Sequence, residues 1–244
     1  MITSFIQGGL GNQLFQIAAG LSLAKDLSVD FALHDGQHHL PLQGSRIEVY
    51  KTNILKGIQF KDLSKLNLTT YYWDRPEYKP LNKIDNQVLI GYFQSEKYFN
   101  HYSSEIKELF QLSKVDTPKG SVALHIRRGD YLNNSHIHPI LTADYYYKAL
   151  EIIGDYERVY IFTDSDIPEG LKIKNSILVE KASDYDHLCF MASCDHNIIA
   201  NSTFSWWAAY LNKNDNTVIA PKLWFGPAGP QNWQDIYCEG WQVI

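Results

Sequence analysis

An α/β fold with parallel sheets is predicted for this chain of 244 residues by three observations. Apolar strand-like runs alternate with helical runs of about ten residues through the second half, which implies βαβ units. The first strand passes into the first helix through a glycine cluster, Gly8, Gly9 and Gly11. A linker-like stretch, Lys114–Gly120 with Pro118 and Gly120, separates the halves and places a domain boundary that gives residues 1–115 and 116–244. Two such halves are expected to enclose a cleft, with ligands outside the carboxyl ends of the strands.

The elements follow in order. Ile2–Ile6 reads as a short buried strand, and Leu14, Ile17, Ala18 and Leu21 recur at helical spacing within a helix Asn12–Asp26. Val29–Leu33 resumes strand character. From Asp35 to Lys83 the pattern resolves no element, although Tyr71, Tyr72 and Trp73 cluster before Pro76. Val88–Phe93 is a predicted strand and Glu96–Phe110 a predicted helix. Beyond the linker come strand Val122–Ile126, helix Ala143–Ile153, strand Val159–Thr163, helix Tyr185–Ala192, strand Asn197–Ala200, helix Phe204–Leu211 and strand Thr217–Ala220.

A net charge of −5 argues against a generic nucleic-acid binder, so any anion site must be local. No apolar stretch approaches the ~20 residues of a spanning helix. Met1–Gln7 has neither a basic region nor a long apolar one, and Cys189, Cys194 and Cys238 form no C-x-x-C pair. The expectation is a reduced, cytoplasmic compartment, at most peripheral to a membrane.

Four stretches carry chemistry. The loop Gln7–Gln13 lies where a strand meets a helix, a position suited to an anion; its glycines equally permit a bare tight turn, and it is not a G-x-G-x-x-G motif. In His125-Ile126-Arg127-Arg128-Gly129-Asp130-Tyr131, alternation carries His125 and Arg127 together to a strand end. Two guanidinium groups there form an anion clamp, because each offers a planar fork to phosphate; the simpler alternative is a surface pair of Arg127 or Arg128 with Asp130. Asp164 and Asp166 follow another strand. They could hold a divalent cation or accept hydrogen bonds from a base or ribose, and the arginines favour the second role. Asn201, Ser202 and Thr203 are competent helix caps with Ser205 in the first turn, and one of Trp206 and Trp207 is expected to line the cleft as a stacking face for a sugar. His34, His38, His39, His136 and His138 lie in loops, and only His34/His38 has i, i+4 spacing, interrupted by Gly36, so no metal site is expected.

The blocks Gly8–Gln16, Gly91–Phe99, His125–Tyr131, Ala200–Ala209 and Ala220–Phe225 resemble, in order, those of the α-1,2-fucosyltransferases. The resemblance implies a GT-B-type fold of two Rossmann-like domains, an N-terminal acceptor-side domain and a C-terminal donor domain. It implies transfer of L-fucose from GDP-β-L-fucose to the 2-hydroxyl of a galactoside, with inversion, no metal and no cofactor. Carried onto this sequence, Arg127 contacts the donor diphosphate with Arg128 beside it, His125 faces the guanosine, and Asp164 or Asp166 reads guanine. Ser205, the adjoining Trp206 and nearby backbone N–H groups lie at the donor, while Asn12, Gln13 and Gln94 lie near the fucose or acceptor. No residue is nominated as general base. A metal-dependent transferase using Asp164 and Asp166, and a non-catalytic glycan-binding module using the tryptophans, are the competing readings.

Overall fold

The computed structural model describes residues 1–35, 47–214 and 217–244. Two compact units divide it: 1–111 with Gln234–Ile236, and 112–233 with 237–244.

The first unit comprises β1 (Ile2–Ser4), α1 (Leu10–Leu27), β2 (Leu33–His34), β3 (Phe60–Lys61), β4 (Thr69–Trp73), β5 (Gln87–Gly91) and α2 (Ser103–Leu109). Its three-stranded sheet has the order β1-β5-β4, with both pairings parallel, and β2 and β3 form a separate parallel pair. Helix α1 is buried around most of its girth. Gly20 makes the close approach to the first strand possible, since a Cβ there would lie 2.4 Å from both Phe31 Cε2 and Ser4 Oγ. The helix stops at Ser28, which adopts a left-handed conformation and donates to the carbonyls of Ala24 and Lys25.

Three expectations change here. The predicted strand Val29–Leu33 keeps only the Ile2↔Phe31 bridge before β2 begins. The predicted helix Glu96–Phe110 is broken into two 3-10 turns, Glu96–Tyr98 and Asn100–Tyr102, ahead of α2. The break serves packing, because Tyr98 and Phe99 both turn into the core while Ser95 Oγ accepts from the Lys97 N–H. Strand β4 emerges from the stretch that resolved no element. The short segment Gln234–Ile236 belongs to this first unit, held through Asp235: its carboxylate accepts from the Tyr78 N–H at 2.8 Å and pairs with Lys97.

The second unit comprises β6 (Ser121–Ile126), α3 (Ala143–Ile153), β7 (Arg158–Thr163), β8 (Ser176–Leu178), α4 (Asp184–Ser193), β9 (His196–Ile198), α5 (Thr203–Leu211), β10 (Val218–Ala220) and β11 (Gln242–Val243). Its six-stranded sheet runs β11-β10-β9-β6-β7-β8, every pairing parallel. Strand β6 is buried at every position, as a central parallel strand covered on both faces must be. Val122, Leu124 and Ile126 pack with Tyr145, Tyr146, Ala149 and Leu150 of α3 and with Ile198 and Ile219. Each such side chain contributes about 1.5–3 kcal/mol through burial.

Strand order sets the place of the site. From β6 the chain moves outward through β7 and β8, then returns to β9 on the other side of β6. The carboxyl ends of β6 and β9 therefore flank the point where the winding reverses, where open α/β sheets bind ligands. No described helix is long and apolar enough to cross a membrane.

Candidate functional site

The residues that leave β6 at this switch point form a tightly connected cluster. Arg127 donates from Nη2 to Asp130 Oδ1, and its Nη1 lies 2.7 Å from Asp164 Oδ2 at the end of β7. The other oxygen of Asp164 accepts the N–H groups of Arg128 at 2.9 Å and Gly129 at 3.0 Å. Gly129 is required by this arrangement, since a Cβ there would lie 2.7 Å from Asp164 Oδ2. The Arg127 guanidinium also sits 5.2 Å from the centroid of the Tyr131 ring. The sequence alternative of a surface pair with Asp130 is thus half of the arrangement: Arg127 is braced by two carboxylates and an aromatic ring. It still has N–H groups to spare, because a guanidinium carries five.

Arg128 differs from its neighbour. Its guanidinium makes no ion pair among the described residues, and its buried Nε has no hydrogen-bond partner there. A buried donor without an acceptor costs about 1–3 kcal/mol, which an incoming anion would recover. His125, one residue before the strand ends, is buried with its ring 5.9 Å from that of Phe204 and its Nδ1 unpartnered among the described residues. Burial, helped by the Arg127 charge, lowers its pKa to about 3, so the imidazole is neutral at physiological pH.

Asp164 and Asp166 are now distinguishable. Asp164 spends both oxygens on Arg127, Arg128 and Gly129, whereas exposed Asp166 has no hydrogen bond or ion pair among the described residues. No group of three metal-ligating side chains occurs among the described residues. Of the loop histidines, His34 Nδ1 accepts from the Leu63 N–H at 3.0 Å, while His38 and His39, and Gly36 with them, lie outside the described residues.

The segment after β9 corrects two expectations. Ser202 is the extended N-cap of α5 with no side-chain cap, so the first N–H groups of the helix have no intrahelical acceptor. Ser205, however, is completely buried, and its hydroxyl donates back to Ser202 O at 3.3 Å. Its hydroxyl is therefore spent on the helix start rather than turned outward. Trp206 and Trp207 both have zero exposure, and Trp206 stacks on Tyr210 at 4.8 Å and 19° and packs on Trp241 at 5.5 Å. Neither indole offers a face to a sugar, because α5 is enclosed on all sides and its two adjacent tryptophans pack into different parts of the core.

In the first unit, three side-chain amides of α1 organise the glycine loop. Gln16 accepts from the Gln7 N–H at 2.9 Å and donates to Gln7 O at 3.1 Å; Gln13 donates to Gly8 O at 2.9 Å. Gly8 has φ +78°, and a Cβ there would lie 2.5 Å from Asn12 Nδ2. Asn12 accepts from Gln94 Nε2 at 2.8 Å. Gln13 is buried and therefore holds the loop instead of facing a ligand, while Asn12 and Gln94 remain half-buried. Tyr71 is buried against Phe93, Tyr72 is exposed, and Trp73 carries Lys79 Nζ 4.5 Å above its ring.

Sequence reasoning offered Asn201 as a helix cap, and the structure gives its side chain another task. It is 1% exposed, and its Nδ2 donates to Pro139 O at 3.1 Å and Trp224 O at 3.2 Å, so one amide ties two loops to the end of β9. The available signal was its place directly after the buried run Ile198–Ala200, where a polar side chain needs buried hydrogen-bond partners.

A guanidinium-bearing cluster at the switch point of a parallel sheet stands where open α/β enzymes bind their ligands. The fold is similar to that of NodZ alpha-1,6-fucosyltransferase of Bradyrhizobium co-crystallized with GDP, with a TM-score of 0.51, 13% identity, and coverage of 85% of this chain and 91% of that one. The model of glycosyl transferase family 11 matches residues 1–244, and the chain belongs to that family. Relatives include an alpha-1,2-colitosyltransferase of Escherichia coli, 29% identical over 92% of this chain and 92% of its own. A galactoside 2-alpha-L-fucosyltransferase of Caenorhabditis elegans is 25% identical over 89% of this chain and 71% of its own.

Proposed function

We propose that this glycosyltransferase has a GT-B-type fold of two Rossmann-like domains and moves L-fucose from GDP-β-L-fucose to the 2-hydroxyl of a galactoside, with inversion and without a metal. The observation that carries the proposal is the cluster at the end of β6, where Arg127 is pre-oriented by Asp130 and Asp164 beside the Arg128 guanidinium, which has no ion pair among the described residues.

The chemistry follows from charge. Breaking the sugar–phosphate bond builds positive character on the fucose ring and negative charge on GDP, so donors fixed before the reaction lower the barrier. Arg127 and Arg128 supply guanidinium N–H groups to the diphosphate, and the first N–H groups of α5 add backbone donors. The phosphate interaction replaces a cation, since Asp164 has no oxygen free of a donor. Asp166 is assigned to the guanine N1–H and amino group because it alone of the two carboxylates is uncommitted. Neutral His125 faces the nucleoside. Asn12 and Gln94 are assigned to the sugar side, and no side chain of the cluster is placed as an activated nucleophile, which favours single displacement.

A second donor deserves an arm of the test, because the Escherichia coli relative is an alpha-1,2-colitosyltransferase. The experiment is transfer to lactose in EDTA with GDP-L-fucose and GDP-colitose in parallel, followed by NMR of the product. An α-1,2-linked fucosyl galactoside is expected. A β-linkage, another hydroxyl, or turnover with GDP-colitose alone would each overturn the corresponding part.

A further inference from the structure

Tyr131 follows the arginine motif directly, yet neither the sequence nor the phosphate chemistry gives it a task. It is 8% exposed, and it is fixed in two ways besides its contact with Arg127. Its hydroxyl donates to Asn201 O at 2.9 Å, and its ring stacks on His138 with centroids 4.4 Å apart and planes 12° from parallel. His138 in turn packs on Phe225 at 5.6 Å. The loops beneath are pinned to each other, with the Gly226 N–H donating to Ile137 O at 2.8 Å and the Ala228 N–H to His136 O at 3.1 Å. Gly226 has no room for a side chain, since a Cβ would lie 2.5 Å from His136 O.

The ring that Arg127 rests on therefore belongs to a rigid floor. That matters for a guanidinium expected to face phosphate. The two carboxylates fix Arg127 at its Nη atoms, but such a pair leaves the plane free to tilt about the line joining them; the Tyr131 ring, its centroid 5.2 Å from the guanidinium carbon, restrains that tilt. A tyrosine ring also attracts the cation without neutralising it, unlike a third carboxylate.

We propose that Tyr131 is a positioning residue for Arg127, its ring setting the guanidinium plane at which the remaining N–H groups meet the donor diphosphate, with Asn201 and His138 holding that ring in place. The inference rests on the assignment of Arg127 to the diphosphate made above.

The test uses calorimetric titration of GDP into the full chain. Tyr131→Leu should weaken GDP by about 2- to 30-fold, the range of a cation–π contact from exposed to desolvated. The same change made in Arg127→Ala should produce no further loss, because a positioning residue has nothing left to position. Tyr145→Phe serves as a control: it breaks bonds of 2.6 Å to Ile199 O and 3.2 Å to Ile219 O in the same sheet. It should lower Tm while leaving GDP affinity unchanged.

Should Tyr131→Leu not fold, Tyr131→Phe and its mono-, di- and trifluorinated ring counterparts keep the shape and drain the ring face of negative potential. GDP affinity should then fall stepwise with fluorination at constant Tm. A flat fluorination series, or full additivity of Tyr131→Leu with Arg127→Ala, overturns the proposal. If Arg127→Ala itself binds GDP like the wild type, the assignment of the diphosphate fails instead, so the two failures are distinct.

Discussion

Asp164 is the most informative residue to perturb, because its two possible roles predict different ligand profiles. In the structure it accepts the N–H groups of Arg128 and Gly129 through one oxygen and pairs with Arg127 through the other. Hydrogen bonds to a charged acceptor are worth about 1.5–3 kcal/mol each, and exposed ion pairs only about 0.2–1 kcal/mol. The Arg127–Asp164 pair is about a quarter exposed at both side chains, with relative accessibilities of 25% and 26%, so partial solvent screening applies. The two backbone hydrogen bonds are solvent-exposed as well, so each falls at or below the low end of its range, and Asp164→Ala should cost about 2–3 kcal/mol in urea unfolding at pH 7. Asp164→Asn retains an acceptor for the two backbone N–H groups and should cost about 1 kcal/mol. Because its effect on ligands passes through Arg127, either variant should weaken GDP and inorganic pyrophosphate alike. Asp166→Ala should instead weaken GDP more than pyrophosphate while leaving stability within about 0.5 kcal/mol. An Asp164→Ala protein as stable as wild type, or one that loses GDP but keeps pyrophosphate, would refute the brace and return the guanine contact to Asp164.

Gly129→Ala puts a methyl group where the Asp164 carboxylate lies, 2.7 Å from the would-be Cβ, and should reduce GDP affinity about as much as Asp164→Asn does, as calorimetry can show. Ser205→Ala removes only a hydroxyl bonded to Ser202 O, so GDP affinity should change less than about twofold while stability falls by about 1 kcal/mol. His125 has a folded-state pKa lowered from 6.5 to about 3, so between those values the unfolded chain binds a proton that the folded one does not. Its contribution to stability is complete above pH 6.5 and declines as pH falls, reaching about 2 kcal/mol of loss at pH 5. Urea unfolding at pH 7 and pH 5 should show that loss in the wild type and its absence in His125→Gln.

Much of the second unit was legible because its strands are short apolar runs separated by helical runs of about ten residues. Helix α3 spans Ala143–Ile153 as the apolar spacing predicts, and β6 is the buried run expected from Val122–Ile126. Strand β4 was not recognised because Thr69 and Thr70 are exposed and only Tyr71 is buried, which leaves too little alternation. The two-residue strand β11 is shorter than any periodicity. At the site, the arginine motif and the two aspartates were each legible at a strand end, but the pairing of Arg127 with Asp164 was not, and the division of labour between Asp164 and Asp166 depends on which carboxylate reaches the Arg128 and Gly129 N–H groups. The tryptophans misled for an identifiable reason. Thr203–Leu211 is apolar on all sides, the mark of an enclosed helix, and that pattern outweighs the affinity of indole for sugars. The attachment of Asp235 to Ser95, 140 residues away in the chain, has no local signal at all.

Arg127 is proposed to hold a guanosine diphosphate leaving group without a metal. Calorimetric titration of GDP in EDTA, into the wild type and Arg127→Ala with matched folded-state spectra, tests it most directly. Saturable GDP binding is expected in the wild type and at least about a tenfold loss in the variant, the equivalent of one charge-assisted contact of about 1.4 kcal/mol. Equal affinity in the two proteins, or wild-type binding that appears only when Mg²⁺ is restored, would contradict it.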